Sequence, residues 1–422
     1  MKIKKVAFLV LMAGLLVVTS CSESKEEKVK LVVLGYGDET TPDGRAFETN
    51  IEKFIADNPD LEIEWDMLNE ELYHNRMTAM LVSGEQLDVA VTFNGGSHHT
   101  KVLDNGQAID QLQFVNPAEF HDGALAGGGE NGELWSIPIT KSIHTVFYSN
   151  DTLLEELGLE VATSYEELLE QKKVAEAKGK VLIAYPAAAA WCNDTFLYSI
   201  LVGRYAGTEG TIDLYKGRSA FNEGASLKAL QFIDKIFKDG VLTDVALQSD
   251  YGVSLSQFNN GQALYMVDGG WRGAAVTLDK YSWNKFPSVP GEIAAGSGNG
   301  GFSSSGWAIM KSATEDPKRK EASIKLLNYL VGKEASLVRA EAIGLVPAYK
   351  IEGDITYKTG TESQGAYIAS HDIVTPTVGD KVRADVKDAF ANGIIEIGLG
   401  TKTPEEVADA TERAFNESKD QG

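Results

Sequence analysis

The stretch VKLVVLGYGDETTPDGRAFETNIEKFIADNPDLEIEWDML, residues 29–68, decides the fold class. Val29 to Gly37 is a short apolar run ending in glycines, as a strand does before a turn. Phe47, Ile51, Phe54 and Ile55 then fall at i, i+4, i+7 and i+8, one face of a helix that Asn58-Pro59 stops. Leu61 to Leu68 alternates apolar and polar residues, which suits a strand buried on one face. Downstream, Tyr73, Met77, Met80 and Leu81 repeat the helical spacing up to Gly84, and Leu87 to Phe93 (LDVAVTF) reads as a third strand. Strand, helix, strand, helix, strand predicts an α/β fold with a parallel-rich sheet flanked by helices. Ligands of such sheets bind beyond the carboxyl ends of the strands. That marks GYGDE (35–39) and NGGS (94–97), with Tyr36, Asp38, Glu39, Phe93 and Asn94, as cleft candidates, ordinary turns being the other reading.

The chain opens MKIKKVAFLVLMAGLLVVTSC: lysines, an apolar run from Val6 to Val18, then small residues before Cys21. This is an export signal, too short for the roughly 20 apolar residues of a spanning helix. Val18-Thr19-Ser20-Cys21 resembles the bacterial lipobox, which implies a signal peptide over residues 1–20 and a multiply acylated Cys21. Two acyl chains anchor a protein stably where one does not. The charged stretch after Cys21, to about residue 28, cannot bury a core and reads as a flexible tether. The mature protein is therefore expected outside the cytoplasm, held to a membrane face.

With Cys21 lipidated, only Cys192 remains, so no internal disulfide forms and packing must supply stability. About 390 residues after the tether predict two or more domains. The formal charge of −22 becomes −25 without Lys2, Lys4 and Lys5. Such a surface repels nucleic acid and anionic lipid, and no basic stripe offsets it. Further on, Ala225–Lys238 and the stretches around Ile324, Leu327 and Val331 and around Val407, Ala410, Ala414 and Phe415 carry helical spacing, and Ser303–Met310 reads as a strand.

Several motifs fail on context. GSGNGG (296–301) satisfies G-x-G-x-x-G but precedes a strand-like run rather than a helix, so no dinucleotide loop is expected. His98-His99 has no further ligand at metal spacing and reads as a solvated turn. The adjacent Asp38-Glu39 could suggest paired catalytic carboxylates, but neighbouring side chains seldom converge on one bond. No cofactor, metal or catalytic motif is identified, and a binding protein is expected rather than an enzyme.

The stretches DVAVTFNGG (88–96), GELWSIPITKSIHTVFYSNDTLLEELGL (132–159), FNNGQALYMVDGGW (258–271) and SGWAIMKSATEDPKRKEASIKLLNYLVGKEAS (305–336) together resemble the bacterial extracellular solute-binding proteins of the carbohydrate-uptake type, relatives of the maltodextrin-binding protein. The resemblance covers nearly all of the mature chain, in order. It implies the two-lobed periplasmic-binding-protein fold of type II, with a ligand cleft between lobes. The first lobe would take residues 29–141 and 290–335, the second 142–289 and 336–422, with crossings near Pro138, Pro290 and Gly332. It also implies a monomeric receptor that closes on a carbohydrate and delivers it to permease subunits of an ATP-driven importer.

A sugar presents apolar C–H faces and a rim of hydroxyls, which suits aromatic platforms flanked by planar donors and acceptors. Two clusters fit. VDGGWRG (267–273) sets Trp271 among Asp268, Gly269, Gly270 and Arg272; PAAAAWCNDT (186–195) sets Trp191 beside Asn193 and Asp194. The family pattern places ligand contacts at both. Trp135 and Trp307 lie next to the implied crossings, whereas Trp65 and Trp283 read as structural. An ion pair between Asp268 and Arg272 is the other reading, and it need not exclude ligand contact. Three rival functions stay open: a same-fold receptor for a non-sugar solute, a sugar sensor without transport, and an extracellular glycoside hydrolase.

Overall fold

The computed structural model describes residues 28–37, 41–68, 70–94, 102–126, 132–353, 355, 367, 370–371 and 374–419. The signal, Cys21, the tether, Asp38, Glu39 and His98-His99 lie outside the described residues.

The opening stretch folds as its periodicity predicts. Strand β1 spans Val29–Tyr36, the helix Pro42–Asp57 follows, and β2 spans Leu61–Leu68. Thr41 caps that helix by accepting from the Gly44 N–H at 3.1 Å, which satisfies one of the donors a helix start leaves free. The helix Glu70–Ser83 then leads to β3, Val89–Phe93. Later in the chain come β4 (Ile137–Pro138), β5 (Thr140–Ile143), β6 (Val146–Asn150), β7 (Val181–Ala184), β8 (Ala263–Asp268) and β9 (Tyr281–Asn284). The last strands are β10 (Gly298–Phe302), β11 (Ser305–Ile309), β12 (Val346–Pro347) and β13 (Val374–Thr375). Among the described residues no helix is long and apolar enough to cross a membrane.

Two sheets carry the two largest cores. The first runs β2-β1-β3-β11-β4, with β1 parallel to β2 and β3, and β11 antiparallel to β3 and β4. Pro138 sits in the edge strand, where a residue without an N–H leaves no ladder position empty. Its core takes Leu31, Val33, Ile51, Phe54, Val89 and Leu327. The second sheet runs β7-β8-β6-β9. All six residues of β8 are buried, as expected of a central apolar strand covered on both faces. The second core joins residues 147–289 to the C-terminal helices Ala384–Gly398 and Pro404–Lys419.

A third, small sheet, β12-β5-β10-β13, is built from segments that pass between the two halves. Strand β5 leaves the first sheet for the second, and β10 returns. Gly332 lies between two helices. The helices Pro317–Leu330 and Lys333–Ile343 flank that glycine and both pack on the first half. Asn50 donates to the Ala335 carbonyl at 3.2 Å, Ala348 N–H to Ile139 at 3.0 Å and Lys350 N–H to Glu119 at 2.7 Å. The chain therefore keeps these contacts with the first half through Lys350. Gly332 serves a tight helix-to-helix turn, since a Cβ there would lie 2.5 Å from the Asn328 carbonyl oxygen.

Candidate ligand-binding site

Strand β8 ends at Asp268, and the chain turns into a 3-10 helix over Gly270–Ala275 that presents Trp271. The Trp271 Nε1–H donates to the Tyr251 hydroxyl at 2.6 Å, and that hydroxyl donates to Asp268 Oδ1 at 3.1 Å. Arg272 closes the group. Its Nε donates to Asp268 Oδ2 at 3.1 Å, another nitrogen donates to the Tyr251 carbonyl at 2.7 Å, and the guanidinium carbon lies 3.5 Å from the centre of the Tyr251 ring. Asp268 is wholly buried, and Oδ1 also accepts from the Gly269 N–H at 2.7 Å. Burial pushes the Asp268 carboxyl above its ordinary range against the pull of Arg272. This carboxylate is enclosed and holds the ion pair with Arg272.

Protein fills the space beside the two glycines. A Cβ on Gly269 would lie 2.2 Å from the Trp271 benzo ring, and one on Gly270 would lie 2.7 Å from Ser142 Oγ. Gly269 thus lets the indole fold back against the backbone, and Gly270 lets the turn approach β5.

Trp191 stands edge-on to Tyr251 at 4.8 Å and to Phe196 at 5.5 Å, and Phe196 lies 6.1 Å from Trp271. Both tryptophans are half-buried. Asn193 and Asp194 do not join them. They open a π-helical turn, Asn193–Tyr198, and are completely buried. Asn193 donates to the carbonyls of Ala187 and Ala391, at 3.0 and 3.3 Å. Asp194 accepts from Ser199 at 2.8 Å and from the Gly379 N–H at 3.2 Å, and pairs with Lys387 at 3.3 Å. They bind the C-terminal segment to the second core. The π turn also leaves the Thr195 carbonyl to accept from Thr145, in the link between β5 and β6, at 3.1 Å and from Asn299 on β10 at 2.7 Å.

On the first sheet, Tyr36 and Phe93 meet at the carboxyl ends of β1 and β3, 6.1 Å apart, with His74 5.8 Å from Tyr36 and Tyr73 5.1 Å from it. Asn94 is occupied structurally. Its Oδ1 accepts from the N–H groups of Trp135 and Ser136, each at 2.9 Å, and its Nδ2 donates to the Ser136 carbonyl at 2.9 Å. Trp135 is held there half-buried. Trp307 is 5% exposed and stacks on Phe47 at 5.3 Å, within the first core. Phe47 also meets Trp65 at 5.5 Å, while Trp283 packs on Tyr148 at 5.1 Å.

The two halves meet at Trp271. Its ring packs against a cluster of Ala46, Ala342, Ile343 and Leu345, from helices and a loop of the first half. His144, in the link between β5 and β6, also stands 5.7 Å from the indole, ring to ring. Burial lowers the His144 pKa, so a neutral ring faces Trp271 at neutral pH. The sequence reading did not single out Tyr251, His144 or His74. Tyr251 follows an N-capping Asp250 and looks locally like any first helical residue; His144 lies within a quoted family stretch but without a partner in sequence.

The resulting surface is aromatic, polar at its edges and without an unpaired charge in the Asp268–Arg272 pair. Among the described residues no group of His, Cys, Asp and Glu could hold a metal ion. A separate cavity in the second core, walled chiefly by Leu168, Ile183, Leu197, Phe232 and Ile236, offers little to a hydroxyl-rich ligand.

The family model for bacterial extracellular solute-binding proteins matches residues 49–351. Among curated proteins no sequence matches. A chitin oligosaccharide binding protein of known structure is similar, with 21% identity and a TM-score of 0.78 over 94% of this chain and 100% of the other. A maltose-bound MalE3 from T. maritima follows at 20% identity and a TM-score of 0.74, covering 92% and 99%. The maltose/maltodextrin-binding domain from Bdellovibrio bacteriovorus, bound to maltotriose, gives 15% identity and a TM-score of 0.74 over 93% and 100%. At these identities the likeness establishes the two-lobed periplasmic-binding-protein fold.

Proposed function

This chain belongs to the bacterial extracellular solute-binding proteins, and from that premise we propose that its solute is a carbohydrate, captured between the two lobes. The observation that carries this reading is the aromatic group of Trp191, Tyr251 and Trp271, set against the other lobe at Ala46 and Ile343 and edged by Arg272. Flat rings beside committed polar groups suit the C–H face of a pyranose better than they suit a strongly charged solute. Structural relatives named for chitin oligosaccharide and maltotriose support the same class.

The proposed cycle is hinge closure. A sugar touching both lobes binds the closed form more tightly and shifts the equilibrium toward it by that difference. Permease subunits of an importer would then take the sugar from the closed receptor, with no chemical step on the way. Acylated Cys21 would hold the receptor at the membrane. Tyr36, Phe93, Trp135 and the GYGDE loop with Asp38 and Glu39 are proposed as the facing contacts on the first lobe.

Calorimetry with maltotriose, xylotriose, chitotriose and D-galactose tests the central claim: at least one should bind stoichiometrically. Failure of all four and of other neutral sugars, with tight binding of a polyamine or a metal chelate, would overturn it. Turnover of a chromogenic glycoside would instead establish the hydrolase reading. Mass spectrometry of the membrane-extracted protein should show acyl chains on Cys21.

A further inference from the structure

We infer that Tyr251 is the positioning residue of this site, and that it commits Trp271 to offering a sugar only the face of its indole. The inference rests on the carbohydrate reading above and specifies how that lobe recognises its ligand.

Tryptophan has one polar group, the indole N–H. Here it is already donated to the Tyr251 hydroxyl, at 2.6 Å. The hydroxyl's own proton goes to Asp268, whose other oxygen takes Arg272. The Arg272 guanidinium is held in turn by the Tyr251 carbonyl and by the Tyr251 ring at 3.5 Å. Tyr251 also meets Trp191 edge-on at 4.8 Å. One residue therefore fixes both tryptophans and the arginine. A platform whose only donor is engaged contributes by stacking, which any pyranose with an apolar face can use. Discrimination among hydroxyl patterns then falls to groups outside this cluster.

The test uses the full-length mature protein and those sugars of the panel that the wild type binds. Tyr251→Phe keeps the ring and removes the hydroxyl; it should weaken every bound sugar by about tenfold while leaving their rank order unchanged. Combining it with Trp271→Phe should add almost nothing to the loss from Trp271→Phe alone, because the two groups act as one unit. Unchanged affinity in Tyr251→Phe, fully additive losses, or a reordered panel would overturn the inference. Should Tyr251→Phe fail to fold, ultraviolet resonance Raman of the wild type decides: the hydrogen-bonded band of the indole N–H that Trp271→Phe removes should not shift on sugar binding, and a shift would show the N–H turning to the ligand. A wild type that binds no sugar would overturn the carbohydrate reading and this inference together, whereas binding with an indifferent Tyr251→Phe overturns this one alone.

Discussion

Arg204 and Glu292 meet at 2.7 Å, their side chains 1% and 9% exposed, across the join between the helix Ser199–Tyr215 and the segment that returns from the second lobe to the first. The same guanidinium donates to the carbonyls of Ser297 at 2.8 Å and Phe286 at 2.7 Å, while the Arg204 carbonyl accepts from Ile293 and Ala294 at 2.9 and 3.1 Å. One side chain thus holds both ends of the returning segment to the second core. Removing one partner of a buried pair leaves the other charge uncompensated and costs about 3–5 kcal/mol. Arg204→Met should lower unfolding stability by that order in a denaturant titration, and Glu292→Gln, which keeps an acceptor, by less. An unchanged midpoint for Arg204→Met would show that the pair is dispensable.

The indole of Trp271 occupies the place a side chain on Gly269 would need, which separates binding from backbone effects. Trp271→Ala should weaken sugar binding at least tenfold, about 1.4 kcal/mol, with little loss of fold because the ring is half-buried. Gly269→Ala tests the same face from behind. Residue 269 has φ −77 and ψ 160, where alanine is unstrained, so its effect is steric. The added methyl should displace the indole, weaken sugar binding and cost about 1–3 kcal/mol of stability by overpacking. If Gly269→Ala binds as the wild type does, the indole orientation does not matter to the site.

Much of this architecture is legible because it is periodic. The helix predicted from Phe47, Ile51, Phe54 and Ile55 and the strand Leu61–Leu68 stand where their spacing puts them, since one-sided burial repeats along the chain. What is not periodic is not legible. Gly332 signals a break, but a break between two helices on one lobe and an exit to the other lobe look alike in sequence. Asn193 and Asp194 are polar residues beside a tryptophan, and only the arrival of Gly379 and Lys387 from far along the chain makes them core. Tyr251 escaped for the same reason: its importance lies in partners brought by β8 and the turn after it.

GSGNGG shows the same limit from the other side. Its last four residues, Gly298–Gly301, lie in β10, an inner strand of the small passing sheet. A Cβ on Gly300 would lie 2.4 Å from the Ser142 carbonyl oxygen and 3.0 Å from Ile143 Cα. The glycines therefore permit close strand approach instead of cradling phosphate. Gly300→Ala should separate β5 from β10 and lower stability by about 1–3 kcal/mol in thermal or chemical unfolding. Retention of full stability would mean that the two passing strands are not tightly joined.

Acid should weaken the protein through His144. Its Nδ1 lies 2.7 Å from the Thr377 hydroxyl and its ring faces Trp271, with burial the main force lowering its pKa below the ordinary 6.5. Asp380 pulls the other way, and Lys381 and Lys387 reinforce the lowering. Because the folded pKa is depressed, the unfolded chain takes up the proton first. The stabilising contribution is complete above pH 6.5 and is lost as pH falls from there through the folded pKa, with a slope of at most about 1.4 kcal/mol per pH unit. His144→Asn cannot titrate in this range. Denaturation midpoints measured across pH 7 to 5 should therefore fall less steeply for His144→Asn than for the wild type, and sugar affinity should follow, since a charged imidazole beside the indole would disturb it. Parallel pH profiles for the two proteins would remove His144 as the origin of the effect.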